Sequence, residues 1–275
     1  MTRQTRRYQV NGIDMNVLIA GEGPEVLLVH GFPDSHAVWR KQIPALVAAG
    51  YRVIAPDTRG CGETQISAGV ASYRVDNLVA DLDVLLDVLG IRKVRLVAHD
   101  WGAMICWHYV SAHPERVERY IALSVGHPMV YGRGGFGQKL KGYITALVQW
   151  RGVIEVLLPL RNWCLLRLMT GYPQEFPRWK ASLSRPGRLT AAVNYYRANL
   201  GLVLGRASAS VAAPVRLPVY GIWSSGDRFV TERQMTGSQQ YVAGPWHYRR
   251  VDGVNHWLQL GAPDEVNALL LDFLR

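Results

Sequence analysis

The segment Val94-Arg95-Leu96-Val97-Ala98-His99-Asp100-Trp101-Gly102-Ala103 constrains the fold of this chain more than any other. A run with strand character passes directly into a stretch with helical character, and a carboxylate stands at the junction. Ala98 and Gly102, two positions before and two after Asp100, are small, as a turn this sharp requires for steric room. Such an elbow lifts the Asp100 side chain above the end of a sheet and leaves backbone amides free to receive negative charge. On local grounds alone, Asp100 could also be simply the N-cap of the helix that follows.

The rest of the chain supplies a sheet for this elbow. Residues 7–10, the turn Asn11-Gly12 and residues 15–20 read as antiparallel edge strands. Residues 25–30 form an apolar run without alternation, as expected of a strand covered on both faces. Helical spacing over 37–49, a strand over 51–56, a helix over 70–90, the elbow strand 94–98, a helix over 102–112 and a strand over 118–125 then follow. In the 70–90 helix, Val75, Leu78, Val79, Leu82, Leu85, Leu86 and Leu89 make one buried stripe. This alternation predicts an α/β fold with a mostly parallel central sheet and helices on both faces.

The rhythm breaks from about 127 to 213. Residues 140–147, 153–168, 179–183 and 189–200 have helical character, punctuated by Pro159, Pro173, Pro177 and Pro186. We read a core of residues 1–128 and 213–275 that carries a helical insertion over 129–212. Strands resume at 217–223 and around 246–251, and a helix over 263–274 closes the chain.

Composition narrows the class. A chain of 275 residues with 49% hydrophobic residues, 27 glycines and 14 prolines is ordinary for a packed enzyme and excludes global disorder. No charge-free apolar run reaches about 18 residues, so no membrane span is expected. The basic start Met1-Thr2-Arg3-Gln4-Thr5-Arg6-Arg7 leads into no apolar signal segment, and a cytoplasmic location is the default expectation. Cys61, Cys106 and Cys164 are few, distant and odd in number, which argues against a disulfide scaffold and offers no Cys-x-x-Cys metal pattern. The net charge of +10 would attract anions, yet the arginines are dispersed without interleaved stacking aromatics, so nucleic acid is not an expected partner. Nothing here chooses between a monomer and a homodimer.

Two further residues join Asp100. Asp227 follows Ile222-Trp223-Ser224-Ser225-Gly226 at the end of a predicted strand, and His256 lies in Val254-Asn255-His256-Trp257 after a later one. The carboxyl ends of strands in an open parallel sheet converge on one crevice, and the order nucleophile, acid, histidine is that of a hydrolytic triad. His30-Gly31-Phe32-Pro33 follows the first central strand. The backbone amides of Phe32 and Trp101 are candidates for an oxyanion hole, Gly31 permits the tight turn, and His30 supports the loop with Pro33. A tight loop without catalytic role would account for these four residues as well.

With His30-Gly31-Phe32-Pro33, Asp57-Thr58-Arg59-Gly60-Cys61-Gly62, His99-Asp100-Trp101-Gly102, Gly226-Asp227 and Asn255-His256-Trp257, the chain resembles the α/β-hydrolase superfamily over nearly its full length. Its epoxide hydrolase and haloalkane dehalogenase branches are the most similar. The resemblance implies an α/β-hydrolase fold with a helical cap after the sixth strand. It makes Asp100 a nucleophile that attacks saturated carbon to form an ester, His256 the general base and Asp227 its partner, with His99 and Trp101 flanking the nucleophile. No metal or organic cofactor is implied.

Several positions bear on the leaving group. Haloalkane dehalogenases often carry asparagine after His-Gly, where this chain has Phe32, and fluoroacetate-type dehalogenases carry arginine after the nucleophile, where it has Trp101. Tyr196, in Asn194-Tyr195-Tyr196-Arg197, matches the cap tyrosine that polarises the epoxide oxygen of epoxide hydrolases. A phenol can donate a hydrogen bond and then protonate the developing alkoxide. The second cap tyrosine of that branch falls, by spacing before Gln149-Trp150-Arg151-Gly152, on Ile144. Its neighbour Tyr143 points about 100 degrees away around a helix, and Tyr131 or Tyr172 are other phenols that could reach in. The apolar and aromatic residues of the insertion, among them Trp150, Trp163, Trp179 and Tyr195, imply a hydrophobic pocket, some of them facing it and others joining the cap to the core; Trp101, Ile144, Trp150 and Tyr195 are the candidates to line it. The expected activity is hydrolysis of an apolar epoxide to a vicinal diol. The rivals are a haloalkane-type dehalogenase using the same Asp100 and a noncatalytic protein of this fold that binds a small hydrophobic ligand.

Overall fold

A computed structural model describes residues 3–131, 137–138, 141, 143–204, 211 and 213–275. Its strands are β1 (Arg3–Val10), β2 (Ile13–Ala20), β3 (Glu25–Val29), β4 (Arg52–Pro56), β5 (Val94–His99), β6 (Val117–Leu123), β7 (Val219–Ser224) and β8 (Trp246–Val251). They form one sheet in the order β1-β2-β4-β3-β5-β6-β7-β8. Asn11 and Gly12 both take positive φ, 46° and 76°, which matches the twist of the hairpin that joins β1 to β2. Of these two strands only β1 lies at an edge of the sheet, contrary to the expectation for both. β2 pairs on its far side with β4, also antiparallel, and every later neighbour pair is parallel.

Strand limits move for local reasons. β6 stops at Leu123, short of the expected 125, because Ser124 turns to φ 67°. β7 starts at Val219, two residues late, after Pro218, which has no N–H to donate to a ladder. In β3 and β5, Leu27, Val29, Leu96 and Ala98 enter one apolar layer while Val26, Leu28 and Val97 enter the other. This is the period-two alternation of a strand covered on both faces. Each fully buried aliphatic side chain contributes about 1.5–3 kcal/mol.

The core helices include α1 (Gln42–Ala48), α2 (Val75–Val88) and α3 (Trp101–Ala112). The single helix expected over 37–49 is two pieces: a 3-10 turn, His36–Trp39, whose N-cap Ser35 accepts from the Ala37 N–H at 3.3 Å, and then α1. Pro44 sits in the first turn of α1, where no intrahelical acceptor is missed. A 3-10 turn, Val70–Tyr73, likewise precedes α2. In α3 every residue from Trp101 to Val110 is buried, so this helix carries no polar stripe and runs through the centre of the molecule.

Between β6 and β7 the described regular elements are the helices Pro128–Tyr131, Tyr143–Leu147, Val153–Leu157, Leu160–Thr170, Phe176–Leu183, Arg188–Ala198 and Leu200–Val203, with one β-bridge from Val215 to Val242. The helix expected over 153–168 is broken near Pro159 and kinked where Arg161, Asn162 and Trp163 take positive φ. The insertion has its own apolar cluster, including Ile154, Leu158, Leu166, Leu183 and Val193, and Phe32 and Phe229 of the core pack against it. Polar ties fix its position. Tyr195 donates to the Arg59 carbonyl at 2.7 Å, Asn199 accepts from the Val75 N–H and donates to the Tyr73 carbonyl, both at 2.8 Å, and Arg40 pairs with Glu175. Among the described residues no helix is long and apolar enough to cross a membrane.

Candidate active site

Asp100 alone joins β5 to α3, with φ 53° and ψ −123°, a conformation that costs a non-glycine residue about 1–3 kcal/mol. Two close backbone approaches hold it there. A Cβ on Gly102 would lie 2.2 Å from the Val29 carbonyl oxygen, and one on Gly31 would lie 2.3 Å from Asp100 Oδ1 and 2.6 Å from the Trp101 nitrogen. The loop after β3 therefore touches the elbow directly, and the Phe32 N–H donates to Asp100 Oδ1 at 2.7 Å. Gly31→Ala is expected to force these segments apart and to lower stability by about 1–3 kcal/mol in urea unfolding, with no loss of helical circular dichroism.

The other carboxylate oxygen faces a histidine. Asp100 Oδ2 lies 3.3 Å from His256 Nε2, and His256 Nδ1 lies 2.7 Å from Asp227 Oδ2. Asp227 Oδ1 accepts the Phe229 and Val230 N–H groups at 2.7 and 2.9 Å, a turn that aims the carboxylate at the imidazole. Nδ1–H therefore donates to Asp227, and Nε2 is turned to Asp100. Burial disfavours the charged imidazole, but the charge of Asp227 and the hydrogen bonds to both carboxylates outweigh it and hold the His256 pKa well above the ordinary value. For Asp100 the burial penalty is likewise outweighed, by the His256 hydrogen bond and charge, and its pKa lies below the usual carboxylate range.

A further layer orients these groups. His99 Nε2–H and Ser124 Oγ–H donate to the His256 carbonyl at 2.9 and 2.8 Å. Burial and the neighbouring His256 push the His99 pKa down to about 3, so the ring is a neutral donor. His30 Nε2 accepts the Thr58 N–H at 3.0 Å, which leaves Nδ1–H to donate to the Gly31 carbonyl at 2.9 Å and hold the loop. Pro33 lines the cleft beside Phe32. Sequence reasoning missed Asp34. Its two oxygens accept from the indoles of Trp179 and Trp257 at 2.7 and 2.8 Å, which ties the insertion to the histidine loop. Burial pushes its pKa up to about 7 against those two donors. Its place directly after His30-Gly31-Phe32-Pro33 was the only signal in the sequence.

Above the three residues lies a cleft of about 730 Å3, open solvent at its mouth included. Trp101, Met104, Leu166, Met169 and Phe229 make most of its wall apolar. Tyr196 enters from the Arg188–Ala198 helix, edge-on to Trp101 at 5.0 Å and to Phe32 at 5.7 Å between ring centroids. Burial, then the charge of Asp100, push its phenol far above the ordinary range, against a hydrogen bond from the Trp101 side chain, so it keeps its proton. Its phenol lines the cleft and can donate to an oxygen bound there.

Tyr131 lines the same cleft. Nearby, the Oε1 of Gln138 accepts the Thr231 N–H at 3.0 Å and its amide nitrogen donates to the Phe229 carbonyl at 2.9 Å. Burial, then the charge of Asp100, push the Tyr131 pKa up to about 12, so Tyr131 is a second protonated phenol at the cleft. Tyr172 instead stacks on Trp257 at 6.0 Å, away from the cleft. The side chains of Tyr143 and Ile144 lie outside the described residues.

Two pocket expectations need correction. Trp150 is 64% exposed and does not line the cleft, because the chain turns after Leu147 toward Gly152, at φ 76°, and carries the indole outward. Tyr195 is turned away from Tyr196 around the helix, and its hydroxyl anchors to Arg59. Trp163 and Trp179 are buried in packing, the latter on Asp34. Lys141 and Thr145, which no motif announced, also line the cleft, and Lys141 Nζ donates to the carbonyls of Asp227 and Val230. Among the described residues no three His, Cys, Asp or Glu side chains cluster so as to hold a metal ion.

Comparison with known proteins agrees with this geometry. Residues 24–263 match the family model of the alpha/beta hydrolase fold. The chain is 33% identical to the AB hydrolase superfamily protein YfhM of Bacillus subtilis, with 96% of each chain covered. It is 30% identical to epoxide hydrolase A of Mycobacterium tuberculosis, over 98% of this chain and 96% of that one. The crystal structure of epoxide hydrolase A from Mycobacterium thermoresistibile superposes with a TM-score of 0.85 at 29% identity, covering 100% of this chain and 98% of the other. A buried Asp-His-Asp set at a strand-to-helix elbow, on this sheet and beneath a phenol, accords with these relatives: the chain belongs to the α/β-hydrolase superfamily, in its epoxide hydrolase-like branch.

Proposed function

We propose that this chain hydrolyses an apolar epoxide to a vicinal diol through an ester formed on Asp100. The observation that carries this reading is the unequal hold on the two Asp100 oxygens, Oδ1 on the Phe32 amide and Oδ2 toward His256, in an apolar cleft that also holds Tyr196. Oδ2 attacks one epoxide carbon opposite its C–O bond. That bond breaks with its electron pair on oxygen, and the alkoxide takes the proton of Tyr196. Tyr131 offers a second hydrogen bond to the same oxygen. Once esterified, Asp100 has lost its charge and no longer holds the proton on His256. The imidazolium then restores the phenol and becomes a neutral base, oriented by Asp227.

Neutral His256 takes a proton from water as the hydroxide attacks Cγ of the ester. The tetrahedral charge forms on Oδ1, where the Phe32 amide already donates, with the Trp101 amide as the second donor of the oxyanion hole. Collapse expels the second alkoxide, which takes the proton from His256. The regenerated carboxyl returns its own proton to His256, and the starting state is restored. Residues 129–212 act as the cap of the cleft, over a core of 1–128 and 213–275. The epoxide hydrolases to which the chain is similar support this reading. Dehalogenation by the same Asp100 is less favoured, since the cleft holds Tyr196, a proton donor that a developing alkoxide needs and a departing halide does not.

Epoxide and haloalkane panels test the proposal, with diol and halide as readouts. Diol from epoxides is expected, and halide release without diol would sink the reading. In single turnover, Tyr196→Phe is expected to slow ester formation by about 10²–10⁴-fold, and Tyr131→Phe to slow it further in the double variant.

A further inference from the structure

The outer face of the helical insertion is not used by this chemistry. Among the described residues eight large apolar side chains are exposed, and six of them, Trp150, Val153, Val156, Leu157, Leu160 and Leu168, lie between positions 150 and 168. Trp150 is 64% exposed, Val156 63% and Leu168 71%. Single exposed leucines are ordinary, but a concentration of this kind marks an interaction surface. The same stretch holds Arg151, Arg161 and Arg167, all exposed. Its one carboxylate, Glu155, is neutralised by Arg197, with contacts of 2.5 and 3.1 Å.

This face therefore combines tryptophan and aliphatic side chains with positive charge and no free negative charge. A second copy of the chain seated on it would bring arginines against arginines. An anionic lipid surface meets both features, apolar groups entering the acyl boundary and guanidinium groups meeting headgroup phosphates. The position of the face adds a reason. Leu166, Met169 and Thr170 of the Leu160–Thr170 helix line the catalytic cleft, while Leu160 and Leu168 of the same helix face solvent, so one helix separates cleft from surface.

We propose that the 150–168 face docks this protein on an anionic phospholipid surface, from which the cleft takes apolar substrate. Docking is independent of the epoxide reading; delivery of substrate rests on it. Flotation with vesicles of phosphatidylcholine alone, or mixed with phosphatidylglycerol, tests docking without reference to activity. Binding to the mixed vesicles is expected, weaker in high salt and much weaker to phosphatidylcholine alone. Each of Arg151→Gln, Arg161→Gln and Arg167→Gln should weaken it about fivefold. Leu160→Glu with Leu168→Glu should abolish it, and Val88→Gln, an exposed apolar site outside the patch, should leave it unchanged.

No binding to either vesicle, or binding indifferent to the double Leu→Glu change, overturns the proposal. So does a dimer in solution that this change converts to monomer, because the occupant is then a second copy. With a long-chain epoxide dissolved in vesicles and a short water-soluble one, the Leu→Glu variant should lose turnover of the first alone. Equal turnover of the first by variant and wild type defeats delivery. Wild-type failure on both substrates defeats the epoxide reading, and flotation then still decides docking.

Discussion

Replacing Asp100 by alanine is expected to lower epoxide turnover by about 10⁵–10⁶-fold and to abolish every covalent adduct. No neighbour can take over the attack. Asp227 is fully buried at its side chain and committed to the Phe229 and Val230 amides and to His256, and Asp34 is held by two indoles. A second effect follows from electrostatics. His256 lies between two carboxylates that raise its pKa, so removal of Asp100 should move its titration to lower pH, read from the imidazole proton resonance. Intact mass after incubation with epoxide supplies the chemical readout. Turnover retained within about tenfold would mean direct attack by water and would remove the ester from the mechanism.

His256→Gln is expected to do the reverse, accumulating the ester to one per chain while its hydrolysis slows by about 10²–10⁴-fold. In the proposed mechanism the first step needs Oδ2 of Asp100 and a phenol, neither of which this change removes. The second needs a base on Asp227, and glutamine is not one. The pH dependence has a definite sign. In that mechanism hydrolysis of the ester uses neutral His256, so in the wild-type protein its rate should rise with pH and then level off. Because esterification removes the charge of Asp100, that rise should fall at lower pH than the titration of His256 in the free protein. Stopped-flow single turnovers at several pH values check the order. An absent adduct in the glutamine variant, with turnover lost, would shift the role of His256 to the first step.

Much of the site was legible because each part sits where local pattern is strong. An aspartate between an apolar run and a helix, with small residues two positions to either side, suits a nucleophile elbow, and the strand-end positions of Asp227 and His256, which follow from the same alternation, set that reading above a simple N-cap. Other features left weaker signals. Asp34 reads as a loop residue until Trp179 and Trp257, distant in sequence, bring their indoles to it. Trp150 reads as a pocket aromatic because composition does not say which way a helix-ending turn faces. Tyr195 and Tyr196 are chemically identical neighbours, and only the rotation of their helix sends one to Arg59 and the other to the cleft.

By itself the sequence determined the α/β alternation, the helical stretch between β6 and β7, and the chemical types at three strand ends, since these depend on periodicity and turn sterics within short windows. The tertiary structure alone decided the order of β1 and β2 in the sheet, the partners of Asp34, the division of labour between the Asp100 oxygens and the entry of Tyr131 into the cleft. These depend on contacts between residues far apart in the chain, whose geometry is set by packing to within tenths of an ångström and leaves no periodic trace in the sequence.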